Sequence, residues 1–419
     1  MAEEIITGLD IGSHTIRVAV AQLTPLSENK DQVHVIGAVE VPSEGVNKGT
    51  ITSIEDATSC VSKALETAER LTGFPINNAW VGISGSHITT QESKGVVGVA
   101  RSDGEVREED VERAIEAART VATPTNYEIL HVIPKSFTVD GQRGIKDPVG
   151  MSGIRLEVDA VIIQGLTSQI KNITKCIYRT GLEIDDLVYS ALATAEATVT
   201  NRQKDLGVAV LNIGASTSSL VIFEEGDVLH TAVLPIGAGH ITSDIAIGLR
   251  TSIEIAEQVK LEYATVQPAD FNKRDEFKLS EFGGQDEEIY SKKFVAEIAQ
   301  ARAEEIYEKV DTELARVDRS GMLPGGVILT GGGSKMSGMV DLAKKSLRLP
   351  ATVGSPIGIT SVVDNASDPS FSTVIGLVLW GHSIQSVHGR GRFGKIFGNM
   401  GKLDKVGSGI IKLFKSLKP

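Results

Sequence analysis

Short apolar runs alternate with helix-period stretches from Ile5 to about Trp80 and again after about Val158, the rhythm of an α/β protein. Two of these runs break in the same way. Residues 8–15 read GLDIGSHT and residues 210–217 read VLNIGAST. Each is an apolar strand that stops at Ile-Gly and passes through small, hydroxylated residues. Strand then resumes, as RVAVAQL in the first and SSLVIF in the second. An offset of 202 residues pairs Gly12 with Gly214, Thr15 with Thr217 and Asp10 with Asn212. Between the halves, residues 83–165 depart from the rhythm. They hold a short-strand run (ITTQESKGVVGVAR), a charged amphipathic helix (EEDVERAIEAARTVA) and an extended segment (YEILHVIPKSFTV), which predicts a small α+β insertion. The second half continues into a helix expected to begin near Thr242 and a charge-rich stretch at 265–290. A long helix opening with YSKKFVAEIAQAR follows, and then the apolar strand GGVILT.

A strand ending in Asp/Asn-Ile-Gly puts consecutive backbone N–H groups at a tight turn. Glycine lets an anion approach the backbone, and the hydroxyls add donors. Two such turns on similar half-domains could clamp a triphosphate between them. A third element follows GGVILT directly: LTGGGSKMSG (329–338) runs a strand into three glycines and a helix, suited to close backbone contact with a base and ribose.

With 419 residues the chain is too long for one core, so at least two domains are expected. No apolar run approaches the ~18–20 residues needed to cross a bilayer. The acidic start, MAEEIITGLD, enters a strand at once and does not read as a secretory signal. Cys60 and Cys176 fit no metal spacing or disulfide framework, as suits a reducing cytoplasm. The net charge of −12 hides an asymmetry: from Ser386 onward eight Lys/Arg face one Asp, leaving −19 for the body. Such a body argues against nucleic-acid partners.

The motifs DIGSHT, NIGAST and LTGGGSKMSG resemble the phosphate-1, phosphate-2 and adenosine motifs of the actin/Hsp70/sugar-kinase superfamily. Within it, VGISGSHI (81–88), HVIPKSFTVDGQRGIKDPVGMSGIRLEV (131–158) and ALATAEATVT (191–200) are similar to the FtsA family of bacterial cell-division actin homologues. The likeness spans essentially the whole chain. It implies an α/β, actin-like two-lobed fold of duplicated ribonuclease-H-like domains with an FtsA-type 1C insertion. Lobe I core (1A) would take residues 1–82, 166–205 and 358–385, and the 1C insertion 83–165. Lobe II core (2A) would take 206–244 and 308–357, and subdomain 2B 245–307. A linker at 386–401 would lead to an amphipathic helix at 402–419.

Carried over by motif, the resemblance implies ATP/ADP and Mg²⁺ as ligands. Asp10 would hold the magnesium hydration shell, with Asn212 the second, weaker position. Gly12, Ser13 and His14 would cradle phosphates from one side and Gly214, Ala215, Ser216 and Thr217 from the other. Gly331, Gly332, Gly333 and Met336 would line the adenosine. Glu257 and Lys260, in the Glu-x-x-Lys of AEQVK, share one helical face and would reach the ribose and adenine edge.

The family's second turn usually begins with Asp, and here Asn212 keeps the shape without the charge. Ser190 stands where the family tends to carry Glu or Gln near the attacking water, Ala191 replaces a proline, and Thr15 stands in place of a lysine. Phosphoryl chemistry depends on positioning and electrostatics, so ATP binding with weak or absent hydrolysis is expected. Glu196 is the conceivable substitute base.

The tail KLDKVGSGIIKLFKSLKP places Leu403, Val406, Ile410, Leu413, Phe414 and Leu417 on one helical stripe, with Lys412 and Lys415 among the lysines mainly off it. That pattern fits an in-plane helix on anionic lipid. The resemblance further implies self-assembly into filaments and capture of the FtsZ C-terminal peptide, with Lys292, Lys293 and Arg302 as contacts. It also implies recruitment of later division proteins and a place on the cytoplasmic face of the membrane at the division site. The alternatives are a small-molecule kinase of the same superfamily, which needs an acid base in the cleft, and the related type IV pilus assembly protein.

Overall fold

The structure, a computed structural model, describes residues 4–389 apart from 28–29, 100–102, 121–123, 273 and 285–287. The amphipathic tail, 402–419, lies outside the described residues. Each lobe is built on the same five-strand arrangement. In lobe I, Ile5–Ile11, Thr15–Ser27 and Lys30–Pro42 form an antiparallel meander, while Asn78–Ile83 and Glu183–Tyr189 add in parallel on the other side of Ile5–Ile11. Lobe II repeats this with Val208–Ile213, Ser218–Glu224 and Asp227–Leu234, then Val327–Thr330 and Ala351–Val353 in parallel. Lobe I carries a further edge strand, Ile359–Ser361.

The repeat extends to register. Asp10 lies opposite Arg17 and Asn212 opposite Ser219, which is the same hairpin position in both lobes. Gly12 N–H donates to Thr15 O at 3.0 Å, and Gly214 N–H to Thr217 O at 3.0 Å. The two turns have one geometry because both are set by the same local chemistry.

Helices Ser190–Thr198 and Ser372–Gly389 pack closely together in the lobe I core. The first is almost wholly buried and rich in alanine. A Cβ at Gly376 would lie 1.7 Å from Ala193 O, so only glycine permits this approach. Helix Ser372–Gly389 continues to residue 389, into the range expected to be linker. The helix expected near Thr242 spans Ala238–Leu249, four residues earlier, because the second turn caps its start: Ala238 N–H donates to Gly214 O and Gly239 N–H to Ala215 O, both at 2.8 Å.

The insertion is a four-stranded sheet, Ile88–Gly98, Arg155–Leu166, Tyr127–Val139 and Gln142–Ile145, covered by helix Glu108–Thr120. Val111, Ile115, Phe137, Leu156 and Ile162 give it a core of its own. Where short strands were expected at 88–98, one continuous strand forms. Tyr127–Val139 runs through Pro134, which has no N–H to give the ladder, and the register shifts there at Lys135.

The insertion is tied to both lobes. His131 Nε2 accepts from Tyr189 N–H of lobe I at 2.9 Å, and the Thr90 hydroxyl donates to Thr231 O of lobe II at 3.2 Å. Burial lowers His131 to about 4 from an ordinary 6.5. Its folded pKa is depressed, so between pH 6.5 and 4 the unfolded chain binds more protons and stability falls as pH falls. His87, lowered by burial to about 4, acts in the same sense, while Asp186, raised by burial to about 7, opposes them. The difference between chains is therefore the readout. Between pH 7 and 5 the wild-type chain is expected to lose about 2 kcal/mol more than His131→Leu, in paired urea unfolding curves.

Candidate nucleotide cleft

Asp10, Gly12, Ser13, His14, Asn212, Gly214, Ala215, Ser216, Thr217, Glu257, Lys260, Gly331, Gly332, Gly333 and Met336 all line one cleft of about 790 Å³ between the lobes. The two hairpin turns, one from each lobe, both contribute to its lining. At the turns, the N–H groups of Ser13, His14, Ala215 and Ser216 have no protein partner among the described residues. Four donors left open at the two turns of one cleft suit the oxygens of a polyphosphate.

The three glycines serve different purposes. Gly331 has φ 83° and ψ 170°, a conformation essentially confined to glycine. Gly333 lets the loop lie on lobe II: a Cβ there would come within 2.5 Å of Ile213 Cγ2. Gly332 meets nothing within 4 Å and leaves open space in the cleft. The segment after the glycines is a single 3₁₀ turn, Gly332–Lys335, before helix Met339–Leu347. Lys335 Nζ bonds Asp368 Oδ2 at 2.6 Å and ties this loop to lobe I.

The Asp10 carboxyl sits deep in the cleft. Burial raises its pKa, and the Arg17 guanidinium partly offsets this. Arg17 is itself paired with Glu40 on the next strand. Both follow from hairpin register, which the sequence held but motif matching passed over. Glu257 and Lys260 close a triad with Thr242: Lys260 Nζ lies 2.6 Å from Glu257 Oε2 and donates to Thr242 Oγ1 at 2.9 Å, while the Thr242 hydroxyl donates to Glu257. Burial pushes the Glu257 carboxyl up, but hydrogen bonds from Lys260 and Thr242 and the nearby charges of Lys260 and His14 outweigh it and hold it low. Thr242 escaped sequence reasoning because an isolated threonine carries no motif.

Other expected residues lie elsewhere. Glu196 is paired with Lys204 Nζ at 3.0 Å and does not line the cleft, so it is no substitute base. Ser190 does line it, with a buried hydroxyl lacking a hydrogen-bond partner. Arg302 is engaged by Asp244 at 2.6 and 2.8 Å and also by Glu305, so it is not a free cation for a partner. Lys292 rests over the Tyr263 ring at 4.0 Å, and exposed Phe294 lies beside it in sequence. Ile247, 76% exposed on the neighbouring helix, adds apolar surface.

Family descriptions match in two places. Residues 85–164 match the SHS2 domain inserted in FtsA, and residues 209–376 match cell division protein FtsA. Cell division protein FtsA of Bacillus subtilis is 37% identical over 389 residues, covering 92% of this chain and 86% of that one. The Pseudomonas aeruginosa protein is 35% identical over 383 residues, covering 91% and 90%. The chain belongs to the FtsA family.

It is thus a cell-division protein with the two-lobed actin-like fold. Solved structures similar in fold include the type IV pilus PilM–PilN complex, with a TM-score of 0.63 at 16% identity, covering 90% of this chain and 98% of that one. MreB5 of Spiroplasma citri bound to ADP gives 0.55 at 12% identity, covering 93% and 99%. At such identities the likeness is one of fold, and FtsA membership rests on the sequence. Among the described residues no helix is long and apolar enough to cross a membrane.

Proposed function

We propose that this FtsA-family chain binds ATP or ADP in the interlobe cleft and acts as a nucleotide-set clamp, joining division filaments to the membrane. The observation that carries this reading is the pair of equivalent hairpin turns, one from each lobe, lining one cleft, with open N–H groups at both turns and glycines beside them. The residues fit the ligand: Gly332 leaves room, and the turns supply donors. Among the described residues no group of three or more His, Cys, Asp or Glu converges. A magnesium ion would therefore be held mainly by phosphate oxygens, with Asp10 reaching its water shell; bound there, it would neutralise phosphate charge.

Hydrolysis would be feeble. Residue 212 is an amide, Ser190 occupies the water-side position, and Glu196 is committed to Lys204. The lobe angle, set by which nucleotide is held, would then be the output. Lys292, Lys293, Phe294 and Ile247 offer cationic and apolar surface for the acidic, hydrophobic FtsZ peptide, with Arg302 serving to brace the helix. The lysine-bearing tail would place the chain on the cytoplasmic face of the membrane, where its filaments would recruit later division proteins.

Titration calorimetry of the full chain with Mg-ADP and Mg-ATP tests the clamp. One molecule of either should bind per chain, with phosphate release far slower than in a kinase. No detectable heat with both nucleotides would remove the reading.

A further inference from the structure

We propose that Asn212 is the pin joining the two lobes at the base of the cleft, and that its amide is required by the hydroxyls it meets, so that it is not a lost acid. Asn212 is the penultimate residue of the central strand of lobe II, Val208–Ile213. Its Nδ2 donates to Thr373 Oγ1 at 3.0 Å and to Thr194 Oγ1 at 3.3 Å. Those threonines stand on the two packed helices of lobe I, Ser372–Gly389 and Ser190–Thr198. One side chain thus bridges both helices from the other lobe.

Proton accounting fixes the residue type. A threonine hydroxyl has one hydrogen. Thr194 gives its hydrogen to Ser190 O at 2.7 Å. The 2.9 Å contact between Thr194 and Thr373 must then use the Thr373 hydrogen. Both hydrogens are spent, so both oxygens can only accept from residue 212. An amide NH₂ supplies two donors at once. The amide oxygen lies against Gly331, where a Cβ would come within 2.2 Å of it. A carboxylate in the same place would bring an acceptor against two oxygens whose hydrogens are committed, in a network that is buried around Thr194 and Thr373.

The consequence for nucleotide control rests on the clamp reading: the second phosphate turn begins at Ile213-Gly214, so the pin fixes that wall of the cleft relative to lobe I. The pin itself does not rest on it, and neither does its test.

Thermal melts of Asn212→Asp, Asn212→Ala and the wild-type chain at pH 8 and pH 5.5, without nucleotide, decide it. Asn212→Asp should melt about 3–6 °C below wild type at pH 8, and most of that deficit should vanish at pH 5.5, where a protonated carboxyl donates to a threonine. Such a carboxyl has a raised folded pKa, so its stability is present at low pH and lost as pH rises. Asn212→Ala should show a deficit that does not shrink on acidification. An Asn212→Asp deficit that is absent or unmoved by pH overturns the pin. If Asn212→Asp does not fold, Asn212→Ala and Thr373→Val are combined: losses well short of additive support the pin, and additive losses overturn it. Calorimetry on the same proteins keeps the two readings apart. Wild type failing to bind ADP removes the clamp and leaves the pin standing. Asn212→Asp melting as wild type while gaining Mg²⁺-dependent affinity marks residue 212 as a metal position and removes the pin.

Discussion

Gly331→Ala abolishes ADP and ATP binding, with an expected loss of more than 100-fold, and destabilises the chain by about 3 kcal/mol. The backbone at 331, with φ 83° and ψ 170°, is nearly closed to residues bearing a Cβ. The added methyl would also lie 2.2 Å from Asn212 Oδ1 and 2.7 Å from Ile213 O. Relief of either contact displaces the end of strand Val208–Ile213, which leads into the second phosphate turn. One methyl would thus disturb the proposed adenosine loop and the second hairpin turn together. Gly332→Ala separates folding from binding, because a Cβ there meets nothing within 4 Å. It should melt as wild type and still bind nucleotide several-fold more weakly, since the methyl takes ligand space. Calorimetry beside thermal melts checks both. Gly331→Ala binding ADP with unchanged affinity would refute the assignment of this loop.

Removal of residues 402–419 should release the chain from vesicles of anionic lipid while leaving nucleotide affinity unchanged. Lys402, Lys405, Lys412, Lys415 and Lys418 each contribute ~1 kcal/mol near such a surface, less than additively, and Leu413, Phe414 and Leu417 add apolar burial on the same stripe. Against this, Gly407 and Gly409 each cost ~1 kcal/mol in a helix. Under the tether proposal the favourable contributions outweigh this cost, most strongly at low salt. Co-sedimentation reads it: the full chain pellets with anionic vesicles and the truncated chain stays in the supernatant. Paired Lys412→Glu and Lys415→Glu should give an intermediate result with a weaker salt dependence. Equal pelleting of full and truncated chains would end the tether proposal.

The repeat of GLDIGSHT and VLNIGAST was legible because a hairpin turn is local: strand, glycine and small residues at fixed spacing specify it without help from the rest of the chain. The same holds for the glycine loop at 331–333. The residues in these motifs line one cleft, and the FtsA resemblance implies what each would do. What failed to show was partnership. Arg302 read as a free cation because Asp244, its partner, is 58 residues away on another helix. Glu196 remains a conceivable base on sequence alone, beside the ordinary solvated helix position, because nothing in ALATAEATVT shows that Lys204 reaches back to it. The start of helix Ala238–Leu249 was placed late because its first N–H groups are capped by Gly214 and Ala215, not by a side chain of its own.

The sequence by itself determined the two lobes, the two phosphate-type turns, the inserted domain and membership of the FtsA family, since each rests on residue types at short, fixed spacing. Only the tertiary structure decided what Asn212 does. Its partners Thr194 and Thr373 lie 18 and 161 residues away, and they meet it only because two lobe I helices pack against the end of a lobe II strand. A side chain's hydrogen-bonding demand is set by the protons its neighbours have left to give. That count exists only once the lobes have closed on one another.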